Sequence, residues 1–453
     1  MSTICAIATS AAAGGISVIR ISGENAQDIA AKVFTPVSGR ALSSLAGYRA
    51  AYGRISDGAE LLDDGVLLMF RAPHSYTGED VCEISCHGGI YVTRRVLSAC
   101  IKAGAEPAAA GEFTKRALLN GKMSLTQAEA VADMIGAQGA QMLSCANSQR
   151  EGALYRRAER IADMIMDVSA QISAWIDYPE DDTPTVTEEW LAERLTAVSA
   201  EFAQLLSGYD TGRLLREGIA CAIVGKPNVG KSTLMNLLAG SRRSIVSDIA
   251  GTTRDVVEES VNLDGTVLRL SDCAGLREAS DEVERIGVEI MLEKLAEADV
   301  VLAVFDSSRP LDGDDERLLS SLGGKEVVCV INKCDLPPAL DCAALERRFG
   351  KAVYVTATED GAKAAIAAEI SSRMKLSQLN AEAGFLANER QRSCIMRAAE
   401  ATSQALEAVR AGLTPDVTGV LLSQALDAVY ELSGKNTSDE VIAQGFERFC
   451  VGK

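Results

Sequence analysis

Short apolar runs in the middle of the chain predict the buried strands of a parallel sheet. Residues 219–224 and 326–331 are almost continuously hydrophobic, and each run is followed by polar or glycine-containing sequence. Parallel strands that are covered by helices on both faces have this pattern. Residues 267–271 and 351–355 predict two further strands, so we expect an α/β domain over residues 217–375.

Both flanks of this domain have the three- and four-residue spacing of helices. In residues 122–215 apolar side chains recur at Ala128, Val131, Ala132 and Ile135, and a break falls at 177–184. In residues 385–450 Thr402 is the one polar residue in a stripe formed by Ile395, Ala398, Ala399, Ala405, Leu406 and Val409. The flanks are either two helical domains or one helical domain with the α/β domain inserted into it. We favour the insertion, because inserted domains have neighbouring termini.

The first 118 residues contain both strand-like and helix-like patterns of apolar residues. Residues 16–22, 65–70 and 81–85 predict strands, and 25–34 and 92–103 predict helices, which together indicate a small α+β domain. Cys82, Cys86 and His87 are the nearest approach to a metal cluster. Strand alternation places both thiols on one face beside Ile84, so we interpret them as packing residues, with metal binding as the alternative.

Size and charge restrict the functional class. A chain of 453 residues is expected to hold about three domains. The net charge of -18 opposes a large, sequence-independent nucleic-acid surface, so an RNA partner would need a local basic patch or a second protein. No basic leader begins the chain and no 18-residue apolar run occurs, so we expect a cytoplasmic protein that has no membrane partner.

The segment GKPNVGKST (225–233) fits the phosphate-loop pattern G-x-x-x-x-G-K-[ST] and lies between a predicted strand and a predicted helix. In that setting backbone N–H groups and the helix N-terminus point at phosphate oxygens. We expect Lys231 to bridge the β- and γ-phosphates and the Ser232 hydroxyl to bind Mg²⁺.

Three further segments follow in order: GTTRD (251–255), DCAG (272–275) and NKCD (332–335). Thr253 is placed to close over the γ-phosphate, and the Asp272 carboxylate can reach the metal. Asp335 can accept two hydrogen bonds from guanine, which adenine cannot donate. The four segments together predict a GTP-binding domain.

The residues alone leave the hydrolytic machinery open. Leu276 occupies the position at which many GTPases have a glutamine that orients water. Four nearby carboxylates are alternatives, and a solvated charged loop is the simpler explanation of them: Glu278, Asp281, Glu282 and Glu284. Arg254 and Arg277 are near, but neither is identifiable as an arginine finger. Asn228 offers an amide oxygen to a monovalent cation, or is a turn former.

Several segments outside the central set resemble the tRNA modification GTPase MnmE (TrmE) family over essentially the whole chain. They are VIRISG (18–23), SYTGEDVCEISCHGG (75–89), GEFTKRALLNGKMSLTQAEAVADMI (111–135), DCAGLREASDEVERIG (272–287) and FCVGK (449–453). The resemblance implies a multidomain α/β and α+β protein. Its Ras-like P-loop G domain (217–375) would be inserted into an all-helical domain (119–216 and 376–453), after an N-terminal α+β tetrahydrofolate-binding and dimerisation domain (1–118).

The resemblance also implies a function. Such proteins are homodimeric GTP phosphohydrolases that act with an FAD-binding protein of the MnmG type, in a heterotetramer or larger assembly. They modify C5 of the wobble uridine (U34) of certain tRNAs to aminomethyl or carboxymethylaminomethyl forms. A tetrahydrofolate derivative supplies the one-carbon unit, and hydrolysis is activated when two G domains meet around K⁺. A GTP-dependent ribosome-assembly factor is the alternative, but such factors usually carry a basic RNA-binding module.

The match to the family assigns individual positions. Glu284 would orient the attacking water. K⁺ would be held by Asn228 with Ser247, Ile249 and Thr252, and Mg²⁺ by Ser232 and Thr253. Folate contacts match Arg20, Glu83, Lys122 and Lys453. The nucleotide contacts match Asn228, Val229, Gly230, Lys231, Ser232, Thr233, Ser247, Asp248, Ile249, Ala250, Gly251, Thr252, Thr253, Asp272, Cys273, Ala274, Gly275, Asn332, Lys333, Asp335, Thr356, Ala357 and Thr358.

Cys450 has two interpretations. Chemistry alone favours a packed thiol, whereas the resemblance places the tail beside the folate pocket and makes Cys450 a candidate catalytic residue. The chain departs from the family at Cys273, where threonine is usual, and at residues 356–358. Thr-Ala-Thr replaces the commoner Ser-Ala-Lys or Ser-Ala-Arg there, so we expect guanine specificity to survive and nucleotide affinity to be lower.

Overall fold

The structure is a computed structural model that describes residues 1–177, 186–240, 259–263, 265–272, 294–359, 361–374, 381–436 and 452. The described residues form two compact units. One lies within Met1–Ala132, Ala158–Ser169 and Leu422–Lys453, and the other within Asp133–Arg157 and Ala170–Leu421.

The first unit contains a seven-stranded sheet with the order β3-β4-β5-β6-β2-β1-β7. All neighbours are antiparallel except β1 and β7. The strands are β1 (Ile4–Ile7), β2 (Ile16–Ser22), β3 (Phe34–Pro36), β4 (Arg49–Asp57), β5 (Glu60–Phe70), β6 (Val81–His87) and β7 (Glu106–Pro107).

One face of this sheet is covered by helices α1 (Ala26–Val33) and α2 (Ile90–Lys102), whose buried residues recur every three or four positions. Cys82, Ile84 and Cys86 are all buried in this core, as the packing interpretation predicts. Burial raises the pKa of Cys82 to about 12, which keeps the thiol protonated at neutral pH. His87 is exposed and pairs with Asp63.

A buried arginine ties the helix after the sheet to the N-terminus and to the segment between β5 and β6. Arg116 lies on α3 (Glu112–Leu119) and is 4% exposed. Its guanidinium donates to Glu112 at 2.9 Å, to Glu79 at 3.2 Å and to the Ser2 carbonyl at 2.7 Å. The buried charge is therefore paired and hydrogen-bonded, which is the condition under which it can be retained.

The second unit contains a six-stranded sheet with the order β13-β12-β11-β8-β10-β9, parallel except for the β9–β10 hairpin. Its strands are β8 (Ile219–Val224), β9 (Glu259–Leu263), β10 (Thr266–Asp272), β11 (Val300–Asp306), β12 (Val327–Asn332) and β13 (Val353–Tyr354). The helices between them are α9 (Lys231–Ala239), α10 (Gly313–Ser321), α11 (Cys342–Phe349) and α12 (Gly361–Arg373). This is the Ras-like arrangement that the sequence predicts.

Helices from the two flanks of this sheet pack against each other. In α7 (Glu188–Ser207) the buried residues Leu191, Leu195, Val198, Phe202 and Leu205 form one stripe, and it faces α13 (Glu389–Arg410). Thr402 is fully buried in the α13 stripe, and its hydroxyl donates to the Ala398 carbonyl at 2.8 Å, so the polar group is satisfied. The predicted fold class is confirmed: an α+β N-terminal part, a Ras-like domain and helices that flank it.

The remaining helices are α4 (Leu125–Gly136), α5 (Ala140–Arg150), α6 (Ala153–Asp177), α8 (Tyr209–Glu217) and α14 (Pro415–Ser433). The bounds of the four predicted domain segments stay predictions.

Helix α5 contacts the turn of the β9–β10 hairpin. A Cβ atom on Gly139 would lie 2.6 Å from the Gly265 carbonyl oxygen, so this close approach requires glycine. The Asn262 amide donates to the Gln138 carbonyl at 3.1 Å, and the Thr266 hydroxyl donates to Gln141 at 2.9 Å. The hairpin is therefore attached to the helical part of its own unit.

Candidate functional site

The carboxyl ends of the parallel strands bring the predicted nucleotide segments to one edge of the second sheet. Asp272 at the end of β10 is in register with Ile223 of β8, and Asp306 at the end of β11 is in register with Asn332 of β12. Ligands of open α/β sheets bind at this edge. The edge is therefore the candidate site.

The phosphate-loop segment connects β8 to α9 through three residues with positive φ. Gly225, Asn228 and Gly230 have φ of 152°, 65° and 100°. A Cβ atom on Gly230 would lie 2.2 Å from Asn332 Nδ2. The loop is thus a glycine-dependent cradle that leads directly into the N-terminus of a helix, which is an arrangement suited to an anion.

Lys231 is the first residue of α9, and its ammonium lies across the loop. Its Nζ donates to the carbonyl oxygens of Gly225 at 2.6 Å and Lys226 at 2.7 Å. Ser232 and Thr233 follow it with exposed side chains. The two hydroxyl groups are therefore accessible in the first turn of α9, directly after the loop.

A buried amide joins three of the predicted segments. Asn332 is 3% exposed; its Nδ2 donates to the Val229 carbonyl at 2.9 Å, and its Oδ1 accepts from the Ala357 N–H at 3.0 Å. It therefore connects the phosphate loop, the NKCD segment and the Thr-Ala-Thr segment. The structure thus brings together Asn228–Thr233, Asn332, Lys333, Asp335 and Thr356–Thr358.

Lys333 crosses from the NKCD segment to the phosphate loop. It has a φ of 61°, and its Nζ donates to the Asn228 carbonyl at 2.7 Å and to Asp306 Oδ2 at 2.6 Å. Asp335, two residues further on, has an exposed carboxylate that is accessible to a base edge. Thr358 is also exposed, while Thr356 is half-buried.

Sequence reasoning missed Asp306. Burial would raise the pKa of this carboxyl, but the hydrogen bonds from Lys333 and Ser308 outweigh burial and the pKa lies below its usual value. The sequence did contain a signal for Asp306. This residue follows the apolar run 300–305 directly, just as Asp272 stands at the end of strand β10. A carboxylate at the end of a buried strand is therefore informative even outside a motif.

Several predicted site residues lie outside the described residues. These are the loop residues Ser247, Asp248, Ile249, Ala250, Gly251, Thr252 and Thr253, the residues Cys273, Ala274, Gly275 and Glu284, and the tail residues Cys450 and Lys453. For Asp272 the structure describes the backbone and not the side chain.

The predicted folate residues Arg20 and Glu83 lie opposite each other on β2 and β6 of the first unit. Arg20 Nε donates to Glu83 Oε1 at 2.8 Å, and the two side chains are 17% and 22% exposed. The Arg20 guanidinium lies 5.5 Å from the ring centroids of both Tyr76 and Phe113, two aromatic residues that sequence reasoning did not assign to this site. The result is a charged pair bordered by aromatic faces.

The C-terminal tail reaches the same pair. Arg20 Nη1 lies 3.4 Å from the Gly452 carbonyl oxygen, and a Cβ atom on Gly452 would lie 2.2 Å from the Ile7 carbonyl oxygen. Lys122 has a different neighbour, since its Nζ donates to the Pro73 carbonyl at 2.9 Å. Arg20, Glu83 and Gly452 are thus brought together, whereas the described contacts of Lys122 are with another segment.

Two family models match the chain. Residues 3–122 match the one described as GTP-binding protein TrmE N-terminus, and residues 125–450 match the one described as MnmE helical domain. A Geobacter sulfurreducens protein named tRNA modification GTPase MnmE is 41% identical over 462 residues, which cover 100% of this chain and 99% of that protein. A Lacticaseibacillus paracasei protein of the same name is 39% identical over 459 residues, with coverages of 100% and 98%.

Among solved structures, a variant of Aquifex aeolicus Era bound to GDP and AlF₄⁻ is 28% identical, with 40% of this chain and 66% of that chain covered. Its TM-score of 0.28 is too low for this likeness to add to the family assignment. Among the helices of the described residues, none is long and apolar enough to cross a membrane.

Replacing Gly230 with alanine tests the cradle. The new methyl group would meet the Asn332 amide, and alanine at this positive φ is strained by about 1–3 kcal/mol. We expect GDP binding, measured with a fluorescent analogue, to weaken about ten- to hundredfold. Gly313→Ala is the matched control, because no atom lies within 4 Å of its Cβ position. Equal GDP affinity in the two variants would contradict the cradle.

Proposed function

Since the chain belongs to the tRNA modification GTPase MnmE family, we propose that it is a GTPase that acts in tRNA modification. In detail, we propose that it binds and hydrolyses GTP and, with an FAD-binding partner of the MnmG type, modifies C5 of the wobble uridine (U34) of certain tRNAs. The products are the aminomethyl or carboxymethylaminomethyl forms. The observation that carries the GTP part is the buried Asn332 amide, which joins the phosphate loop to the segments that contact the base.

The geometry supports distinct roles for the nucleotide-site residues. Lys231 donates to two loop carbonyls in this structure. When a nucleotide binds, the ammonium can instead donate to the β- and γ-phosphate oxygens. Asp335 is exposed and accepts the N1–H and the 2-amino group of guanine. The backbone N–H groups of the loop before α9 bind phosphate oxygens, and the Cβ-free Gly230 leaves room for the Asn332 amide that supports the loop.

The proposal includes two cations, Mg²⁺ and K⁺. The described residues at both sites offer oxygen atoms that suit them. The Ser232 hydroxyl is exposed at the second position of α9, where it can bind Mg²⁺ together with Thr253. The Asn228 side chain is exposed in the loop, where its amide oxygen can bind K⁺ with Ser247, Ile249 and Thr252. When bound, the two cations offset the charge that develops on the phosphates. In this proposal two G domains of a homodimer meet around K⁺.

Glu284 is the proposed catalytic residue for hydrolysis. Leu276 stands at the position of the usual glutamine and its aliphatic side chain cannot hold water. A carboxylate can accept a hydrogen bond from the attacking water and so fix its direction.

The first unit supplies the proposed folate site. The Arg20–Glu83 pair offers a donor group and an acceptor group side by side, and the rings of Tyr76 and Phe113 lie next to the guanidinium. A flat heteroaromatic ring with polar edges fits such surroundings. Lys122 and Lys453 are proposed as further folate contacts, and a bound tetrahydrofolate derivative would supply the one-carbon unit.

The contact of Gly452 with Arg20 supports placing the tail, and with it Cys450, at this site. We propose that Cys450 takes part in the modification chemistry, and that the protein works in the cytoplasm as a homodimer within a larger assembly with its partner.

Mass analysis of tRNA tests the function as a whole. We expect tRNA from a deletion strain to carry unmodified wobble uridine, and the modification to return when the chain and its FAD-binding partner are supplied together. Unchanged wobble uridines with altered ribosome particles would refute the proposal in favour of a ribosome-assembly factor.

A second test addresses hydrolysis. Glu284→Ala is expected to lower GTP turnover at least about a hundredfold, because the attacking water loses its acceptor, while GTP affinity changes little. Glu282→Ala, two residues away in the same charged segment, is the control and is expected to retain turnover. Full turnover by Glu284→Ala, or an equal loss in both variants, would remove Glu284 from its assigned role.

The K⁺ site is tested by ion exchange at a fixed total salt concentration. The wild-type GTPase rate is expected to fall about tenfold or more when Na⁺ replaces K⁺, because the smaller ion leaves part of the oxygen set out of reach. Asn228→Ala is expected to reduce the difference between the two salts. Equal wild-type rates in K⁺ and Na⁺ would refute the cation site and leave GTP binding intact.

A further inference from the structure

Asp306 is a buried carboxylate with no role in the function proposed so far. It ends β11 at the nucleotide edge and is 5% exposed. A charge this deep is retained only when it is paired and hydrogen-bonded. Its partners therefore indicate what the carboxylate does.

Both oxygens of Asp306 have partners in fixed positions. Oδ1 accepts from the Ser308 N–H at 2.9 Å and from the Ser308 hydroxyl at 2.7 Å. Oδ2 accepts from the Lys333 ammonium at 2.6 Å. Ser308 thus orients the carboxylate, and the carboxylate in turn fixes the position of the Lys333 charge.

The Lys333 ammonium makes a second contact, with the phosphate loop. It donates to the Asn228 carbonyl at 2.7 Å. Asn228 has a φ of 65°, a left-handed conformation that asparagine tolerates better than most residues but that still needs support. The chain of contacts runs from Ser308 through Asp306 and Lys333 to the backbone of Asn228.

We propose that Asp306 is a positioning residue for nucleotide and cation binding: through Lys333 it holds Asn228 in its left-handed conformation, and so aims the Asn228 side chain. The cation part of this inference rests on the proposed K⁺ site, whereas the nucleotide part rests on the proposed GTP site and on these contacts. Asp306 itself lies behind Lys333 and acts through it.

The charge of Asp306 is the property that the role requires. The side chain of Lys333 is 30% exposed, so without an anionic partner its ammonium would gain by turning toward water. A neutral amide at position 306 keeps the size of the side chain but replaces a charge-assisted hydrogen bond with a weaker one. The Asn228 carbonyl would then lose its donor for part of the time.

The test compares Asp306→Asn and Ser308→Ala with Asp299→Asn in the full-length protein. Asp299 is a matched control: it immediately precedes the same strand β11, pairs with Arg213 at 2.6 Å and accepts from the Ala220 N–H at 2.9 Å. Two quantities are measured. One is the dissociation rate of a fluorescent GDP analogue without K⁺, and the other is the K⁺ concentration that gives half of the maximal GTPase rate. Thermal unfolding of each variant is recorded as well.

For Asp306→Asn we expect GDP to dissociate about tenfold faster and the half-activating K⁺ concentration to rise about tenfold, the effect of weakening one charge-assisted hydrogen bond. Ser308→Ala is expected to shift both quantities in the same direction by about threefold, because the carboxylate keeps its charge and loses one orienting bond. Asp299→Asn is expected to lower the unfolding temperature and leave both quantities unchanged.

If Asp306→Asn lowers only the unfolding temperature, as the control does, the carboxylate is structural and the inference is overturned. If the wild-type GTPase rate does not respond to K⁺, the proposed cation site fails. The GDP dissociation rate then still decides whether Asp306 positions the nucleotide loop. Faster GDP dissociation in Asp306→Asn then supports positioning of the nucleotide loop, and an unchanged rate overturns it.

Discussion

The amide of Asn332 is the constraint on which the nucleotide edge depends. One side chain with one donor bond and one acceptor bond fixes both the Val229 carbonyl and the Ala357 N–H. Because the amide is almost fully buried, either bond left unmade would leave a desolvated polar group, which costs about 1–3 kcal/mol. The phosphate loop, the NKCD segment and the Thr-Ala-Thr segment are therefore held as one structure, although they are far apart in sequence.

The candidate site of the first unit is organised by a different interaction, a charged pair across two strands. Arg20 and Glu83 are direct register partners, so a slip of one residue between β2 and β6 would place the two side chains on opposite faces of the sheet. Arg116 adds a second, more deeply buried charge that ties α3 to Glu79. Arg20 is 17% exposed and Arg116 is 4% exposed, which fits the ligand contact proposed for Arg20 and a purely structural role for Arg116.

The sequence was most informative where local chemistry and periodicity coincide. The strand Ile219–Val224 and the loop after it are predictable because a continuous apolar run ends at a glycine motif. Strand β4 was missed, since its outward residues such as Tyr52 and Arg54 break the apolar pattern. Asp306 was missed as well, because its role depends on Lys333, which comes 27 residues later and meets it only through strand pairing. The approach of Gly452 to Arg20 has no local signal either, and only the family resemblance led us to expect the tail there.

Among the described residues, the hydrogen bonds at the junction between α5 and the β9–β10 turn are made by neutral groups. Amide, hydroxyl and backbone carbonyl atoms make its hydrogen bonds, and two glycines, Gly139 and Gly265, make its close approach. Dissolved ions screen charges but have little effect on hydrogen bonds between uncharged groups. The hydrogen bonds described at this attachment therefore depend less on ionic strength than the ion pair of Lys333, whose side chain is 30% exposed. A change of salt concentration is thus expected to affect the ion pair at the nucleotide edge more than these hydrogen bonds.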